Sequence, residues 1–257
     1  MVGNGVYDPI NMQLYNLMNN IGIAATLVCG IVLGIFEWRR RKRVDAQLQE
    51  PGKPFNYWCM LLCGLVAAVA MFVGTSYVST IFGVETNAKS FVGGVLVFIP
   101  VFLILAAFFP RNGRPTRQLE VIMPVLPLNL AVIRVGCLLR GCCFGIPFKH
   151  GLIYPEHSVA SMLFDGQPLF PTQPLETAIM LTCCVLMLVL HFKGKRTLPI
   201  FPLVFGTTGL MLTFVTAWDA GTIRFYRIAF SLMFLIGIIF LVLVIWDNKK
   251  EKTRQKR

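Results

Sequence analysis

The chain has 257 residues, of which 56% are hydrophobic and only 14% charged, whereas a typical soluble domain has about a quarter charged residues. The apolar residues fall in long blocks, which is typical of membrane proteins and argues against a soluble fold. The net charge of +12 arises from basic residues at the ends of those blocks, so nucleic-acid binding is not expected.

Seven apolar segments follow one another, each near the ~20 residues that cross a ~30 Å hydrocarbon core. They cover residues 18–38, 57–80, 91–109, 119–139, 174–192, 199–218 and 226–246. The fourth is the weakest, since it contains Pro124, Pro127, Asn129 and Arg134. Backbone breaks at membrane depth are tolerated only where protein or a cavity covers them. The sequence predicts an all-α polytopic membrane protein of about seven transmembrane helices, forming a single domain over residues 1–257.

Basic residues predict the orientation of these helices. Clusters follow the first, third, fifth and seventh segments, at residues 39–43, 111–117, 193–196 and 249–257. If the helices alternate, all four clusters lie on one side, which the positive-inside rule assigns to the cytoplasm. We therefore expect the amino terminus outside and the carboxyl terminus inside, with residues 247–257 forming a basic cytoplasmic tail.

The longest connection on the expected outer side covers residues 140–173. Connections longer than ~15 residues are usually functional or disordered. This one contains several glycines and prolines and two of the three histidines, His150 and His157. We expect the working site to lie at this face.

The clearest chemical signal covers residues 134–145, Arg-Val-Gly-Cys-Leu-Leu-Arg-Gly-Cys-Cys-Phe-Gly. An ionisable residue within a span costs about 3 kcal/mol on insertion scales, so Arg134 is expected to be functional or paired with Glu120 or Glu176. Arg140 lies nearer the membrane interface, so its side chain is explained equally well by a site role or by snorkelling, in which the charged end extends to the membrane surface. Two guanidinium groups beside glycines predict an anion pocket, and phospholipid head groups are the abundant anions at a membrane surface.

Three cysteines share this polar neighbourhood, namely Cys137, Cys142 and Cys143, whereas the other five fall in apolar runs. A thiol pair beside an arginine is one hypothesis, because a nearby positive charge favours the thiolate. A zinc site needs four ligands, and the spacing to His150 and His157 matches no standard pattern, so no metal is expected. The three cysteines therefore stay candidates for a redox role.

Two further elements accompany this segment. Phe-Pro-Thr-Gln-Pro-Leu-Glu at residues 170–176 opens the fifth span, where Thr172 and Glu176 are suited either to helix capping or to a site. Gln173 is a neutral polar group suited to orienting a head group. Ser-Phe-Val-Gly-Gly at residues 90–94 opens the third span, where the glycine pair permits close approach.

These three elements, in this order, resemble the bacterial prolipoprotein diacylglyceryl transferase family. From Glu120 to Gly145 the chain is similar, without a gap, to the family's acidic residue, Pro-Leu-Ile-Pro, Gly-Arg-Ile-Gly-Asn and glycine-containing tail. The matching positions are Glu120, Pro124, Pro127, Arg134, Gly136, Gly141 and Gly145. Residues 170–176 resemble the family's His-Pro-Ser/Thr-Gln-Leu-Tyr-Glu, and residues 92–94 resemble its His-Gly-Gly.

The resemblance implies seven helices, an outside amino terminus, and a multi-pass protein of the bacterial cytoplasmic membrane. The family transfers diacylglycerol from phosphatidylglycerol to the lipobox cysteine of a prolipoprotein, and this chemistry implies no cofactor. Arg134, Arg140 and Glu120 are then the expected catalytic residues. The expected substrate-binding residues are Gly93, Gly94, Gly136, Gly141, Gly145, Gln173, Glu176 and Arg227.

The chain departs from the family pattern at several positions. Val92 and Phe170 replace histidines, Cys137 and Arg140 replace asparagines, and Cys142 replaces a glutamate. In the sixth span, Leu212 and Thr216 stand where the family has an arginine and a glutamate, and Arg224 or Arg227 is the candidate replacement for that arginine. No general base is identified, so two alternatives stay open: a non-catalytic lipid- or lipoprotein-binding relative, and a membrane thiol oxidoreductase.

Overall fold

The computed structural model describes the chain except for residues 1–8, 49–56, 82–89, 109–113, 157 and 256–257. Nine helices and one strand occupy the described residues. They are α1 Pro9–Leu48, α2 Tyr57–Ile81, α3 Phe91–Ala107, α4 Pro115–Ile122, α5 Val125–Arg140, β1 Pro147–Leu152, α6 Val159–Phe164, α7 Thr172–Phe192, α8 Ile200–Leu212 and α9 Ala220–Gln255. The expected all-α membrane architecture is confirmed.

Four of the helical stretches are long and apolar enough to cross a membrane. They are Gln13–Arg40, Pro115–Arg140, Thr172–Phe192 and Ala220–Lys249. Three shorter apolar helices accompany them, at Cys59–Gly74, Phe91–Ala107 and Ile200–Leu212. Each of the seven predicted segments therefore corresponds to an apolar helical stretch, and within the described residues four of these stretches are long and apolar enough to cross a membrane.

The fourth predicted segment consists of two successive helices, because proline interrupts it. Pro124 separates α4 from α5 and has no N–H to donate to the preceding turn. Pro127 lies within the first turn of α5, where the backbone N–H groups have no intrahelical acceptor and none is lost. The predicted sixth segment is shorter than expected, since α8 ends at Leu212 and residues 213–219 are not helical.

The helices pack in pairs around one apolar core. α1 lies against α5, α2 against α3, α5 against α7, and α8 against α9. Gly206 and Gly209 of α8 bring it close to the Phe230–Phe234 turn of α9, where an added methyl group would clash. Small residues commonly allow such close approach in membrane helices. Phe102, Phe201 and other fully buried side chains fill the interior.

One end of the bundle is held by a network of ion pairs. Arg196 Nε lies 2.7 Å from Glu120 Oε2, and Arg196 Nη1 lies 3.5 Å from Asp247 Oδ2. Asp247 also contacts the Arg114 guanidinium. His191 lies 4.0 Å from Glu37, which joins the end of α1 to the same region. We call this end, with Glu37, Glu120, Arg196 and Asp247, the basic end. Each of these four residues lies in one of the predicted basic clusters or within a few residues of one.

The connection between α5 and α7 covers the opposite end. Residues 144–148 run antiparallel to residues 168–170 on one side and to residues 215–217 on the other. Phe144, Tyr154, Ala160 and Leu169 form a second small core beneath α6. We call this end, with the carboxyl end of α5 and the amino end of α7, the site end. The carboxyl-terminal residues 247–255, expected as a tail, continue α9 as a helix.

Replacing Glu120 by alanine is expected to destabilise the bundle. The carboxylate accepts hydrogen bonds from Arg196 and from the backbone N–H groups of Thr197 and Leu198, and both charged side chains are below 10% exposed. Removing one partner of a buried pair costs about 3 kcal/mol or more. A lower thermal unfolding midpoint in detergent would show this, with Glu156→Ala, an exposed carboxylate, as the matched control. Equal midpoints for the two variants would contradict the role of this network.

Candidate active site at the carboxyl end of α5

The carboxyl end of α5 folds back on itself through a Schellman turn. Gly141 has φ 67°, the left-handed conformation that glycine adopts without a steric penalty. Its N–H donates to Leu138 O at 3.1 Å, and the Cys142 N–H donates to Cys137 O at 3.1 Å, which is the paired pattern of this motif. The turn therefore brings the residues after Gly141 back over the last turn of the helix.

This reversal gathers three thiols. The sulfur atoms of Cys137, Cys142 and Cys143 all lie within 4.8 Å of one another, close enough to contact a common ion. Cys137 is buried and the other two are partly exposed. All eight cysteines of the chain are free thiols in this structure, and the redox role of the three stays a prediction.

Arg134, one turn earlier on α5, forms a buried ion pair with Glu176 of α7. Arg134 Nε lies 2.7 Å from Glu176 Oε2, and Nη2 lies 3.2 Å from Oε1. The arginine side chain is 14% exposed and the glutamate 5%. Of the two partners considered from the sequence, Glu176 is therefore the one in contact with Arg134. The guanidinium also lies close enough to Cys143 to interact with it electrostatically.

The first turn of α7 holds the cysteine turn in place. Thr172 donates its hydroxyl to Cys143 O at 2.7 Å, and Gln173 donates its amide to Cys142 O at 2.6 Å. Thr172 therefore bonds the turn instead of capping its own helix, which begins at this residue without a side-chain cap. In this arrangement Gln173 supports the site through the turn.

Tyr154 completes the same hydrogen-bond chain. Its hydroxyl donates to Gln173 Oε1 at 2.6 Å, and the ring is 5% exposed. Burial raises the pKa of the Tyr154 phenol, so the hydroxyl remains a donor at neutral pH. Sequence reasoning missed this residue, since a single tyrosine in a long connection has no distinguishing pattern.

Tyr226 of α9 is a second residue that sequence reasoning missed. It lies close enough to Arg134, Glu176 and Cys143 to interact with them electrostatically, and it hydrogen-bonds Ser90. Trp218 stacks on its ring with centroids 4.3 Å apart. The third and seventh predicted segments therefore meet the Arg134 pair at this point.

The predicted glycines serve three kinds of contact. Gly93 and Gly94 are buried in the first turn of α3, where Gly93 N–H donates to the Ser90 side chain at 3.3 Å. Gly136 faces Tyr15 and Met18 of α1. Gly145 lies between the backbones of Phe170 and Val215, with no room for a methyl group, and this position joins the two neighbouring extended segments. Val92, at the family's histidine position, is buried.

Three predicted residues lie away from the Arg134 pair. Glu120 lies on α4 at the basic end, whereas Arg134 lies on α5; the 14 residues between their positions correspond to about 20 Å at a helical rise of about 1.5 Å each. Arg140 lies over the Tyr15 ring at 5.3 Å. Arg227 donates to Thr213 Oγ1 at 3.3 Å and lies over the Phe214 ring at 4.5 Å. The structure thus brings together Arg134, Glu176, Gln173 and the three cysteines, but not Glu120.

The prolipoprotein diacylglyceryl transferase family model matches residues 6–246, which is nearly the whole chain. The chain belongs to the prolipoprotein diacylglyceryl transferase family. It is also 22% identical over 259 aligned positions to phosphatidylglycerol–prolipoprotein diacylglyceryl transferase 2 of Clostridium perfringens, and the alignment covers 96% of each protein. The resemblance inferred from the residue pattern is confirmed, and the protein is a membrane transferase of this family.

Leu212 and Thr216, the two positions of the sixth segment that depart from the family pattern, make local contacts in the structure. The Thr216 hydroxyl bonds back to Leu212 O at 2.6 Å, and Thr216 also pairs with Gly145 across the antiparallel contact. These two positions therefore close the end of α8 against the site connection, whereas the resemblance assigns charged residues to them. The arginines that the described residues place at the site end lie on α5 and α9 instead.

Replacing Gly141 by alanine is expected to lower stability and transferase activity together. An alanine at φ 67° is strained by about 1–2 kcal/mol, and its methyl group would in addition clash with Ser158. Gly166→Ala is the matched control, because φ is 70° there and nothing lies within 4 Å of an added methyl group. Both variants have the strain of an alanine at positive φ, but only Gly141→Ala also has the clash with Ser158. Comparing their unfolding midpoints and transfer rates therefore isolates the effect of the clash. Equal loss of activity in both would contradict a site role for this turn.

Proposed function

We propose that the protein transfers the diacylglyceryl group of phosphatidylglycerol to the thiol of a prolipoprotein lipobox cysteine. The new bond joins the cysteine sulfur to the glycerol carbon, and glycerol phosphate leaves. The observation that carries this proposal is the buried Arg134 guanidinium, held by Glu176 beside the thiol cluster in a chain of this family. Such a group is suited to the phosphate of a lipid head group.

The orientation follows from the basic end. Its arginines, the lysines that follow α7 and the lysines in the last turns of α9 favour the cytoplasmic side of a bacterial inner membrane. The site end then faces outside, where a lipobox cysteine that has been carried across the membrane can be reached. The proposed amino terminus outside and carboxyl terminus inside agree with the way α5, α7, α8 and α9 alternate between the two ends.

Arg134 is the proposed phosphate ligand. A guanidinium has five N–H donors, and Glu176 contacts only its Nε and Nη2 atoms, so donors remain for a phosphate oxygen. Negative charge grows on the leaving phosphate as the carbon–oxygen bond breaks, so a fixed positive charge stabilises the transition state more than the ground state. Glu176 fixes the guanidinium plane and, with it, the direction of the donors.

The surrounding residues hold this geometry. Gln173, Thr172 and Tyr154 bind the cysteine turn to α7, so the ion pair and the thiols keep a fixed relation. Arg140, at the end of α5, supplies a second positive charge near the outer surface that favours the approach of an anionic head group. The glycines let the backbone segments approach closely enough for these contacts to form.

Replacing Arg134 by alanine is expected to reduce the transfer rate about a hundredfold or more, as for other charged transition-state contacts. The measurement is diacylglyceryl transfer from phosphatidylglycerol vesicles to a synthetic lipobox peptide. Lys149→Ala is the matched control, since it removes an exposed cation from the connection between α5 and α7, at the same end of the bundle. Arg134→Lys, which keeps the charge but loses the fork of donors, is expected to fall in between.

Complementation of a transferase-depleted bacterial strain tests the same function in cells. Growth and lipoprotein maturation should be restored by the native chain and not by Arg134→Ala. If purified Arg134→Ala binds phosphatidylglycerol and labels the peptide at the native rate, the phosphate assignment is wrong. If the native chain binds the lipid but transfers nothing, it is a binding relative.

A further inference from the structure

Alkylation of a thiol requires the thiolate, because the thiol itself is a weak nucleophile. The family's histidine position is occupied here by the buried Val92, and the Glu176 carboxylate is engaged by Arg134. Neither residue is placed to take the proton of the acceptor cysteine. The three neighbouring cysteines offer another means of forming the thiolate, since their sulfur atoms lie together beside this ion pair.

The three sulfur atoms lie at nearly the separation of ligands in a zinc site. Zn–S bonds are about 2.3 Å long, so two sulfurs on one tetrahedral zinc are about 3.8 Å apart. The thiols of Cys137, Cys142 and Cys143 are within 4.8 Å of one another before any ion is bound. A contraction of about 1 Å or less would complete three corners of a tetrahedron.

We propose that Cys137, Cys142 and Cys143 bind one Zn²⁺ whose fourth position takes the thiolate of the acceptor cysteine. This inference rests on the proposed transferase function. Structural zinc sites are closed by four protein ligands, whereas catalytic ones keep three and leave one position open. Cys137 is a buried residue, whereas Cys142 and Cys143 are partly exposed as residues, so we assign the open position to the side of Cys142 and Cys143.

The charge at the site fits an anionic metal centre. Three thiolates and one Zn²⁺ have a net charge of −1, and the acceptor thiolate makes it −2. A buried charge of this kind needs a partner, and the Arg134 guanidinium, which also pairs with Glu176, interacts electrostatically with Cys143 and offsets part of the charge. Arg134 is also the proposed phosphate ligand. In this proposal the sulfur nucleophile and the leaving phosphate therefore both lie next to the Arg134 guanidinium.

The backbone supports a site instead of a simple packing contact. Cys143 has φ 57°, in the left-handed region that a residue with a Cβ rarely adopts. The hydrogen bonds from Thr172 and Gln173 to the carbonyls of Cys143 and Cys142 hold that conformation. Unfavourable backbone conformations that are held in this way concentrate at functional sites.

The step is balanced without any redox change. The acceptor cysteine loses its S–H proton to water as it binds Zn²⁺, since a coordinating thiol is deprotonated. Its sulfur lone pair then forms the bond to the glycerol carbon, and the carbon–oxygen bond breaks with its electron pair leaving on the phosphate. The product thioether is neutral and a weaker ligand than a thiolate, so it leaves the ion.

The first experiment measures metal binding in the purified full-length protein. After reduction and exposure to ZnCl₂, followed by removal of free metal, the native chain is expected to retain about one zinc ion per chain. Cys142→Ala/Cys143→Ala should retain none. Cys183→Ala/Cys184→Ala is the matched control, because it removes another adjacent pair, buried in α7, and should bind zinc like the native chain.

The second experiment tests the open position. With Co²⁺ in place of zinc, the thiolate-to-metal absorption should strengthen when a lipobox peptide is added, and should not change with the same peptide carrying serine at its cysteine. An unchanged spectrum with the cysteine peptide would overturn the assignment of the fourth position, and failure of the reduced native chain to bind metal would overturn the site itself.

The outcomes separate this inference from the proposed function. If the metal-free protein transfers diacylglyceryl at the native rate, the zinc inference fails and the transferase function stands. If zinc and the peptide bind as expected but phosphatidylglycerol is never consumed, the transferase proposal fails and the metal site stands. Finding two of the three cysteines in a disulfide that survives purification, with no metal uptake after its reduction, would favour the redox alternative and overturn the inference.

Discussion

The site depends on one buried ion pair between two helices. Arg134 and Glu176 bring a positive charge into the interior at the site end, where neither side chain would be stable without the other. The contact also fixes α5 against α7, and the first turn of α7 in turn bonds the cysteine turn that ends α5. The charge, the thiols and the hydrogen bonds therefore form one connected unit, and the position of each part depends on the same pair.

The two ends of the bundle use charge differently. At the basic end, Glu120, Arg196 and Asp247 are arranged so that each carboxylate has more than one donor, which suits a structural joint between α4, α9 and the turn before α8. At the site end, Glu176 meets a guanidinium that retains further donors. One acidic residue of the family pattern, Glu120, thus joins structural elements at the basic end, while the other, Glu176, holds the Arg134 guanidinium at the candidate site.

Hydropathy was sufficient to predict the seven apolar helical segments, although it predicted neither α6 nor the early end of α8. The helix rise could have placed Glu120 as well. Fourteen residues separate it from Arg134, so a continuous helix puts the two at opposite ends. The pairing of Arg134 with Glu176 was one of two options from the sequence.

The gathering of the cysteines was not evident from the sequence, because Cys137 and Cys142 point in different directions on an unbroken helix. Gly141, a residue typical of Schellman turns, was the available signal. Tyr226 and Tyr154 reach the site through tertiary contacts that no local pattern indicates.

The measurement that tests the account most directly follows both products of one reaction. Purified protein is incubated with phosphatidylglycerol vesicles and a synthetic lipobox peptide, and mass spectrometry follows the peptide and the released head group. The account predicts a diacylglyceryl thioether on the peptide cysteine and an equal amount of glycerol phosphate. An unmodified peptide, under conditions in which the Clostridium perfringens relative modifies it, would contradict the central claim.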